Sequence, residues 1–302
     1  MRGSEFSVTI IRFGWRLPCT AMSGSSLESR IIEGFYMPSS LDKIIAATRV
    51  RVARTRSAAD LRTLQKQAEA HLPRGFRRGL ERQDGVAVIA ELKKASPSRG
   101  LIRAEFDPAG LAREFEAAGA AALSVLTEEE FFQGSLENLQ SSSEATGLPC
   151  LRKDFIVDEF QLLEARAHCA DAVLLIVAAL SQPELKTLSR GAAEHGLDVL
   201  CEVHDEVELR RAEDAGCNLI GVNNRNLKTL QVDLETSLRL AELMPKGALR
   251  VAESGIHSGA DITRLRGAGY QAFLIGESLM KAKSPGEALR TLLSEAMAPV
   301  AH

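Results

Sequence analysis

The sequence predicts an α/β protein, a (β/α)8 TIM barrel with an N-terminal helical extension. Three observations predict it. From residue 86 onward, short apolar and β-branched runs alternate with amphipathic stretches of helical period, and the alternation completes eight times. The apolar runs are continuous rather than alternating, as strands buried on both faces require. Glycines recur where a helix hands over to a strand, in Ala118-Gly119-Ala120-Ala121, Ala215-Gly216-Cys217-Asn218 and Ala268-Gly269-Tyr270-Gln271, the place for a left-handed helix cap. The βα units are too short to hold an inserted second domain. A doubly wound sheet is the alternative arrangement of the same alternation.

Residues 1–36 are expected to be a vector-derived or otherwise non-native leader, poorly ordered, because Met1-Arg2-Gly3-Ser4-Glu5-Phe6 has that character and the stretch shows no periodicity. A signal peptide is the alternative, but the apolar run at 7–13 is short for one and more charge follows. Met37-Pro38-Ser39-Ser40 is the expected natural start, and 37–85 the helical extension. Ser39 or Ser40 can cap a helix that carries Ile44, Ile45, Val50 and Val52, and a second helical stretch spans 58–70. The barrel domain then occupies 86–302. Its strands are expected at 86–91, 121–126, 150–153, 172–177, 199–203, 219–222, 250–253 and 272–275. Its helices are expected at 108–118, 135–146, 159–168, 182–195, 207–215, 234–243, 258–267 and 285–296.

Composition narrows the function. The chain is 45% hydrophobic and 25% charged with a net charge of -3, ordinary for a globular protein and without the basic excess of a nucleic-acid binder. Arg49, Arg51, Arg54 and Arg56 are read as a solvated helix face. No apolar run approaches the ~18 residues of a membrane span. The five cysteines are odd in number and show no C-x-x-C spacing, so Cys150, Cys169, Cys201 and Cys217 are expected to be buried thiols in a reducing cytoplasm. The expected partner is a small-molecule substrate, with no nucleic acid, no membrane and no obligate protein partner.

A barrel gathers the C-terminal ends of its strands at one mouth, and these ends are charged. Strand one ends in Glu91, with Lys93 two residues on and Ser96 in the following hydroxyl-rich loop. Residues two apart on a strand share a side. The loop after strand two carries Phe132, and strand three ends in Lys153 followed by Phe155. Strand five supplies Glu202, strand six Asn223 and Arg225, and strand seven Glu253. His204 is read as a loop or helix-start residue. Any one of these would fit a salt-bridged strand end. Five charged residues, Glu91, Lys93, Lys153, Glu202 and Glu253, at the ends of four strands point instead to converging charges of the kind acid–base work needs.

The last two loops, Ser254-Gly255-Ile256 and Gly276-Glu277-Ser278, follow strands seven and eight, the usual place for a phosphate in this fold. Glycine there lets main-chain N–H groups approach an anion. Phe132 and Phe155 suggest an aromatic or apolar part opposite the phosphate, and Lys93 and Arg225 a partner for a carboxylate or carbonyl. No His/Cys cluster has metal-ligand spacing and no glycine-rich nucleotide loop follows strand one. No metal and no cofactor are expected.

Together these residues closely resemble the indole-3-glycerol phosphate synthase family of tryptophan biosynthesis. The match rests on Ile89-Ala90-Glu91-Leu92-Lys93-Lys94-Ala95-Ser96-Pro97-Ser98, Ser124-Val125-Leu126-Thr127-Glu128, Phe132-Gln133-Gly134-Ser135 and Leu151-Arg152-Lys153-Asp154-Phe155-Ile156-Val157-Asp158. It continues through Glu202-Val203-His204, Gly221-Val222-Asn223-Asn224-Arg225-Asn226-Leu227, Ala252-Glu253-Ser254-Gly255-Ile256 and Leu274-Ile275-Gly276-Glu277.

The resemblance implies conversion of 1-(2-carboxyphenylamino)-1-deoxyribulose 5-phosphate to indole-3-glycerol phosphate, with loss of CO2 and water. It implies Lys153 as the general acid of ring closure and Glu202 as the base of dehydration. Lys93 would hold the substrate carboxylate, and Glu91 would position the lysines. Asn223, Arg225 and Glu253 match the polar shell, with Ser96 beside the substrate. Phe132, Phe155 and Leu274 match the anthranilate pocket, and Ser254, Gly255, Gly276 and Glu277 the phosphate loops.

Two positions depart from the family. Ala95 stands where some members carry a further basic residue. Glu277 stands where others have Ser, so its side chain is expected to point away from the phosphate. The isomerase half fused in some organisms is not expected. Another phosphosugar barrel enzyme and a non-catalytic phosphate-binding barrel are the rival readings.

Overall fold

The computed structural model describes residues 40–298. The expected leader, the start at Met37 and the cap at Ser39 lie outside the described residues. The N-terminal segment forms α1 (Ser40–Ala58), α2 (Leu61–Ala70) and α3 (Phe76–Glu81). Asp60 starts α2 by accepting from the main-chain N–H groups of Arg62 and Thr63.

The barrel strands are β1 (Ala87–Leu92), β2 (Ala122–Leu126), β3 (Cys150–Lys153), β4 (Ala172–Ile176), β5 (Asp198–Val203), β6 (Leu219–Asn223), β7 (Leu249–Glu253) and β8 (Ala272–Ile275). Each pairs in parallel with the next, and β8 closes on β1 through Ala272 opposite Ala87 and Ile275 opposite Ala90. Between them run α4 (Pro108–Ala117), α5 (Leu136–Glu144), α6 (Phe160–Ala167), α7 (Gln182–Glu194), α8 (Glu206–Asp214), α9 (Glu235–Ala241) and α10 (Gly259–Gly267). After β8 come α11 (Glu277–Lys281) and α12 (Pro285–Met297). The closed ring settles the choice between a barrel and a doubly wound sheet.

The strands' period of two sorts their side chains into two cores. Ile89, Leu151, Leu174, Leu200, Leu219, Val251 and Leu274 fill the barrel interior. Val88, Val125, Val173, Cys201, Val222 and Phe273 face outward into the layer shared with the helices. Phe76 and Leu80 of α3 are buried in the inner core, so α3 plugs the end of the barrel from which the strands start. Its six residues, Phe-Arg-Arg-Gly-Leu-Glu, are too few to show a helical period in sequence. The same holds for α11 and for the short ladder of Ala95–Ser96 with Gly100–Leu101.

Two expectations about side chains change. Cys201 and Cys217 are joined as a disulfide with their Cα atoms 6.4 Å apart, whereas Cys150 and Cys169 are free. Cys201 faces out of β5, and Cys217 follows α8, so folding α8 back onto the strand brings together residues 16 apart in sequence. The arginines of α1 are not all solvated. Arg51 lies 3.4 Å from the fully buried carboxylate of Asp154, just past β3. Arg49 and Arg56 reach Glu184 and Asp158 in exposed pairs. Among the described residues no helix is long and apolar enough to cross a membrane.

Candidate active site

On β1, β3, β5, β6 and β7 the inward stripe is apolar below and polar at its C-terminal end. On β1 the series runs Ala87, Ile89, Glu91, and on β5 Leu200, Glu202. On β7 it runs Leu249, Val251, Glu253, and on β3 Leu151, Lys153. The topmost layer therefore sets Glu91, Lys153, Glu202, Asn223 and Glu253 around one cavity of about 280 Å3, with Lys93, Phe132, Phe155, Arg225, Leu274, Ser254, Gly255, Gly276 and Glu277 also in its lining. Ser96 is apart from that lining. It sits in the ladder after β1 with its hydroxyl 3.5 Å from that of Ser98. A wider depression of about 720 Å3 lies at the opposite end, beside Arg77, Leu249 and Arg250. It contains none of the strand-end acids or ammonium groups.

Lys153 is the centre of the charge cluster. Its Nζ donates to Glu202 Oε2 at 3.0 Å and lies 3.6 Å from Glu253 Oε2, with the lysine side chain only 14% exposed. Burial by itself would lower its pKa, but Glu202, Glu253 and Glu91 outweigh this and hold the ammonium charged well above the usual lysine range. Glu202 and Glu253 do not respond alike. Burial would raise Glu202, yet the charges of Lys153 and His204 hold it below the ordinary carboxylate range. Burial pushes Glu253 up to about 8, although Lys153 draws it the other way. Near neutral pH the cluster thus holds an ionised Glu202 and a protonated Glu253, the divergence that separates acid from base in one site. Glu91 pairs with Lys93 at 2.5 Å.

Close packing fixes these groups. A Cβ on Gly276 would overlap the Glu91 carboxyl, and one on Gly221 the Glu253 carboxyl. Each acid is seated against a glycine of the neighbouring strand or its loop. The turn after β7 is left-handed at Ser254 (φ 65°) and Gly255 (φ 79°), a conformation costly for serine. Asn224 braces it: its side-chain amide donates to the carbonyls of Glu253 and Ser254 at 3.0 and 3.2 Å.

The aromatic wall has its own supports. Phe132 and Phe155 face each other with ring centroids 6.3 Å apart. The buried Glu128 carboxylate accepts from the main-chain N–H groups of Phe131 and Phe132 and so holds the first ring's loop. Asp154 accepts from Phe155 N at 2.8 Å and from the fully buried Arg152 at 2.9 Å. Arg152 also reaches the Gln161 carbonyl at 2.7 Å, tying β3 to α6 behind Lys153.

Glu277 is among the residues around the mouth. Its carboxylate pairs with Arg99 at 2.9 Å, Arg225 at 3.3 Å and Lys281 at 2.6 Å. Sequence reasoning also passed over Arg99, Leu174 and Ile176, which line the cavity. The signal for Leu174 and Ile176 was the same alternation that found Glu202, but β4 ends apolar and so drew no notice. Among the described residues no cluster of His, Cys, Asp and Glu could hold a metal ion.

The fold and this cluster define the class: a β/α-barrel enzyme that gathers buried titratable groups at the C-terminal ends of its strands. The family model for indole-3-glycerol phosphate synthase matches residues 41–292. The synthase of Koribacter versatilis is 62% identical over 259 residues, covering 85% of this chain and all of that protein. That of Desulfotalea psychrophila is 48% identical, covering 83% of this chain and 97% of its own. The chain belongs to the indole-3-glycerol phosphate synthase family, and with it to the carboxy-lyases of tryptophan biosynthesis. Among solved structures, 3-hexulose-6-phosphate synthase from Salmonella typhimurium superposes with a TM-score of 0.57 at 14% identity, covering 69% of this chain and 97% of that one. That likeness concerns the barrel alone.

Proposed function

We propose that this mouth closes the indole ring of 1-(2-carboxyphenylamino)-1-deoxyribulose 5-phosphate, releasing CO2 and water to give indole-3-glycerol phosphate. The observation that carries the reading is the Lys153 ammonium between Glu202 and Glu253, 3.0 and 3.6 Å away, in a cavity that also holds the glycine loops and the Phe132/Phe155 wall. The phosphate binds the main-chain N–H groups around Ser254, Gly255, Gly276 and Glu277. The anthranilate ring packs against Phe132, Phe155 and Leu274. Lys93 meets its carboxylate, with Arg225 and Asn223 along the sugar and Ser96 in the adjoining loop.

The chemistry then follows from charge. The ring carbon attacks the sugar carbonyl carbon, and Lys153 protonates the developing oxyanion so that no bare alkoxide forms in a dry site. Loss of CO2 breaks the bond from the attacking ring carbon to its carboxylate and leaves that electron pair in the ring. Lys93, freed of the lost carboxylate, protonates the hydroxyl so that it departs as water, and Glu202, ionised at neutral pH, takes the proton from the adjacent carbon of the new five-membered ring, which completes the indole. Glu91 holds Lys93 in place through their 2.5 Å pair. No step draws on a cofactor. The reading has the enzyme working in the cytoplasm on a free small molecule, without nucleic acid, membrane or obligate protein partner.

The test is turnover. The purified protein should convert the carboxyphenylamino substrate with a rise in indole fluorescence. Lys153→Ala should lower kcat at least ~100-fold, the scale of a lost general acid, while leaving the circular dichroism spectrum unchanged. Full activity in that variant would refute the assignment of Lys153.

A further inference from the structure

His204 is unexplained by the reaction as written. It lies two residues beyond Glu202, so its side chain returns to the inner side of the strand end. Its Nδ1 is 2.9 Å from Glu208 Oε2, and the same oxygen accepts its main-chain N–H at 2.8 Å. Glu208, in the first turn of α8, is itself fixed, its N–H donating to Asp205 Oδ1 at 2.9 Å. The imidazole is thereby aimed. Its Nε2 lies 3.4 Å from Glu202 Oε1 and is buried without a hydrogen-bond partner. The other oxygen of Glu202 is the one that Lys153 holds. A buried donor one short step from a carboxylate, with no other group to satisfy it, is costly unless it serves that carboxylate.

We propose that His204, braced by Glu208, is a positioning residue for Glu202: it presents a charged N–H to the carboxylate oxygen that Lys153 leaves open, and so keeps the base ionised and oriented. The proposal rests on the reading of Glu202 as the base. The charged and titratable groups that face this pair are Lys153 from β3, Glu253 from β7 and Glu208 from α8. Burial would lower the His204 pKa, and Glu208, Glu202 and Glu253 together raise it, so the imidazolium is the form this setting favours. Removing that cation leaves Glu202 with Lys153 and the hydrogen bond from the Asn223 side chain, and makes it easier to protonate.

The measurement is the pH profile of kcat/KM for the full chain. His204→Gln keeps an amide N–H but loses the charge. It should move the acid limb to higher pH by ~1 unit, the shift expected on losing one opposite charge within a few ångströms. The change should fall on kcat with KM held. Glu208→Gln should move the limb in the same direction by less. Imidazole nitrogen NMR of the unaltered protein should show both ring nitrogens of His204 protonated at neutral pH, a readout that needs neither variant to fold. A neutral imidazole there, or an acid limb that stays put in variants that still turn over, would overturn the proposal. So would a loss of Tm with an unmoved limb, because that marks a structural role. Absence of turnover by the unaltered enzyme would instead strike the proposed reaction, and the NMR result would still decide the pairing of His204 with Glu202.

Discussion

Gly221 shows how much of the site is set by what is missing from a side chain. It lies on β6 beside Glu253, and any Cβ there would overlap the Glu253 carboxyl. Gly221→Ala must therefore displace Glu253 and disturb its position beside Lys153. Overpacking of this kind costs ~1–3 kcal/mol of stability, and a misplacement near 1 Å can cost ~100-fold in rate. We expect the variant to fold, with kcat/KM reduced 10- to 100-fold on that scale; a steady-state assay beside a urea melt checks both. Glu253 makes a second prediction. Burial pushes its pKa up to about 8, so the carboxyl is protonated below that pH and ionised above it. Ionisation adds a further negative charge beside Lys153, which binds the lysine proton harder and repels an anionic substrate. kcat/KM should fall as pH rises through about 8, and Glu253→Gln, which imitates the protonated carboxyl, should remove that fall. A basic limb unchanged in the variant would assign it to another group. From sequence, Glu253 was legible as a charged strand end. Its protonation was not, because that depends first on how deeply the closed barrel buries it, and then on the balance of Lys153 against Glu202, both far off in the chain.

At the scale of elements, the eight βα repeats were legible because a strand buried on both faces and an amphipathic helix leave different periods. α3 was not, since six residues with a central glycine carry no period, and its place in the barrel floor depends on Phe76 and Leu80 finding the inner core. The bridge from Arg51 of α1 to Asp154 was hidden for a different reason: a row of arginines reads as a solvated face until a buried acid is found opposite. The extension is also tied down at the other end of the barrel, and this tie titrates. Asp171, which starts the turn into β4, accepts from Arg74, from the N–H of Cys150 and from His71. The hydrogen bond that His71 donates to Asp171, then the one it gives to the Cys169 side chain, push His71 up to about 8 from 6.5. A histidine raised on folding stabilises fully below its unfolded pKa and loses that contribution as pH rises through the folded one. Discounted for partial exposure, the pair is worth ~1 kcal/mol. The stability gap between the unaltered protein and His71→Ala should thus be larger at pH 6 than at pH 9. A gap independent of pH would show that His71 meets Asp171 as a neutral imidazole.

For the whole molecule, barrel closure is what turns a sequence pattern into a site. Glu91 and Glu253 are 162 residues apart in the chain, and they share one mouth because β8 pairs with both β1 and β7. The same closure puts the glycine loops after β7 and β8 beside Lys93 and opposite Phe155. The ring of strand-end charges was readable from the chain once closure was assumed. The salt links of Glu277 to Arg99 and Arg225 were not, because three separate loops supply them and no local pattern records loop-to-loop distance. The central claim is this shared geometry, and a crystal structure with a reduced, unreactive analogue of the carboxyphenylamino substrate tests it most directly. The account predicts the phosphate on the main-chain N–H groups of Gly255 and Gly276, the aromatic ring against Phe132 and Phe155, and the oxygen at the reduced carbonyl carbon within hydrogen-bond distance of Lys153 Nζ. An analogue bound in the reverse sense, or in the depression beside Arg77 and Arg250, would contradict it.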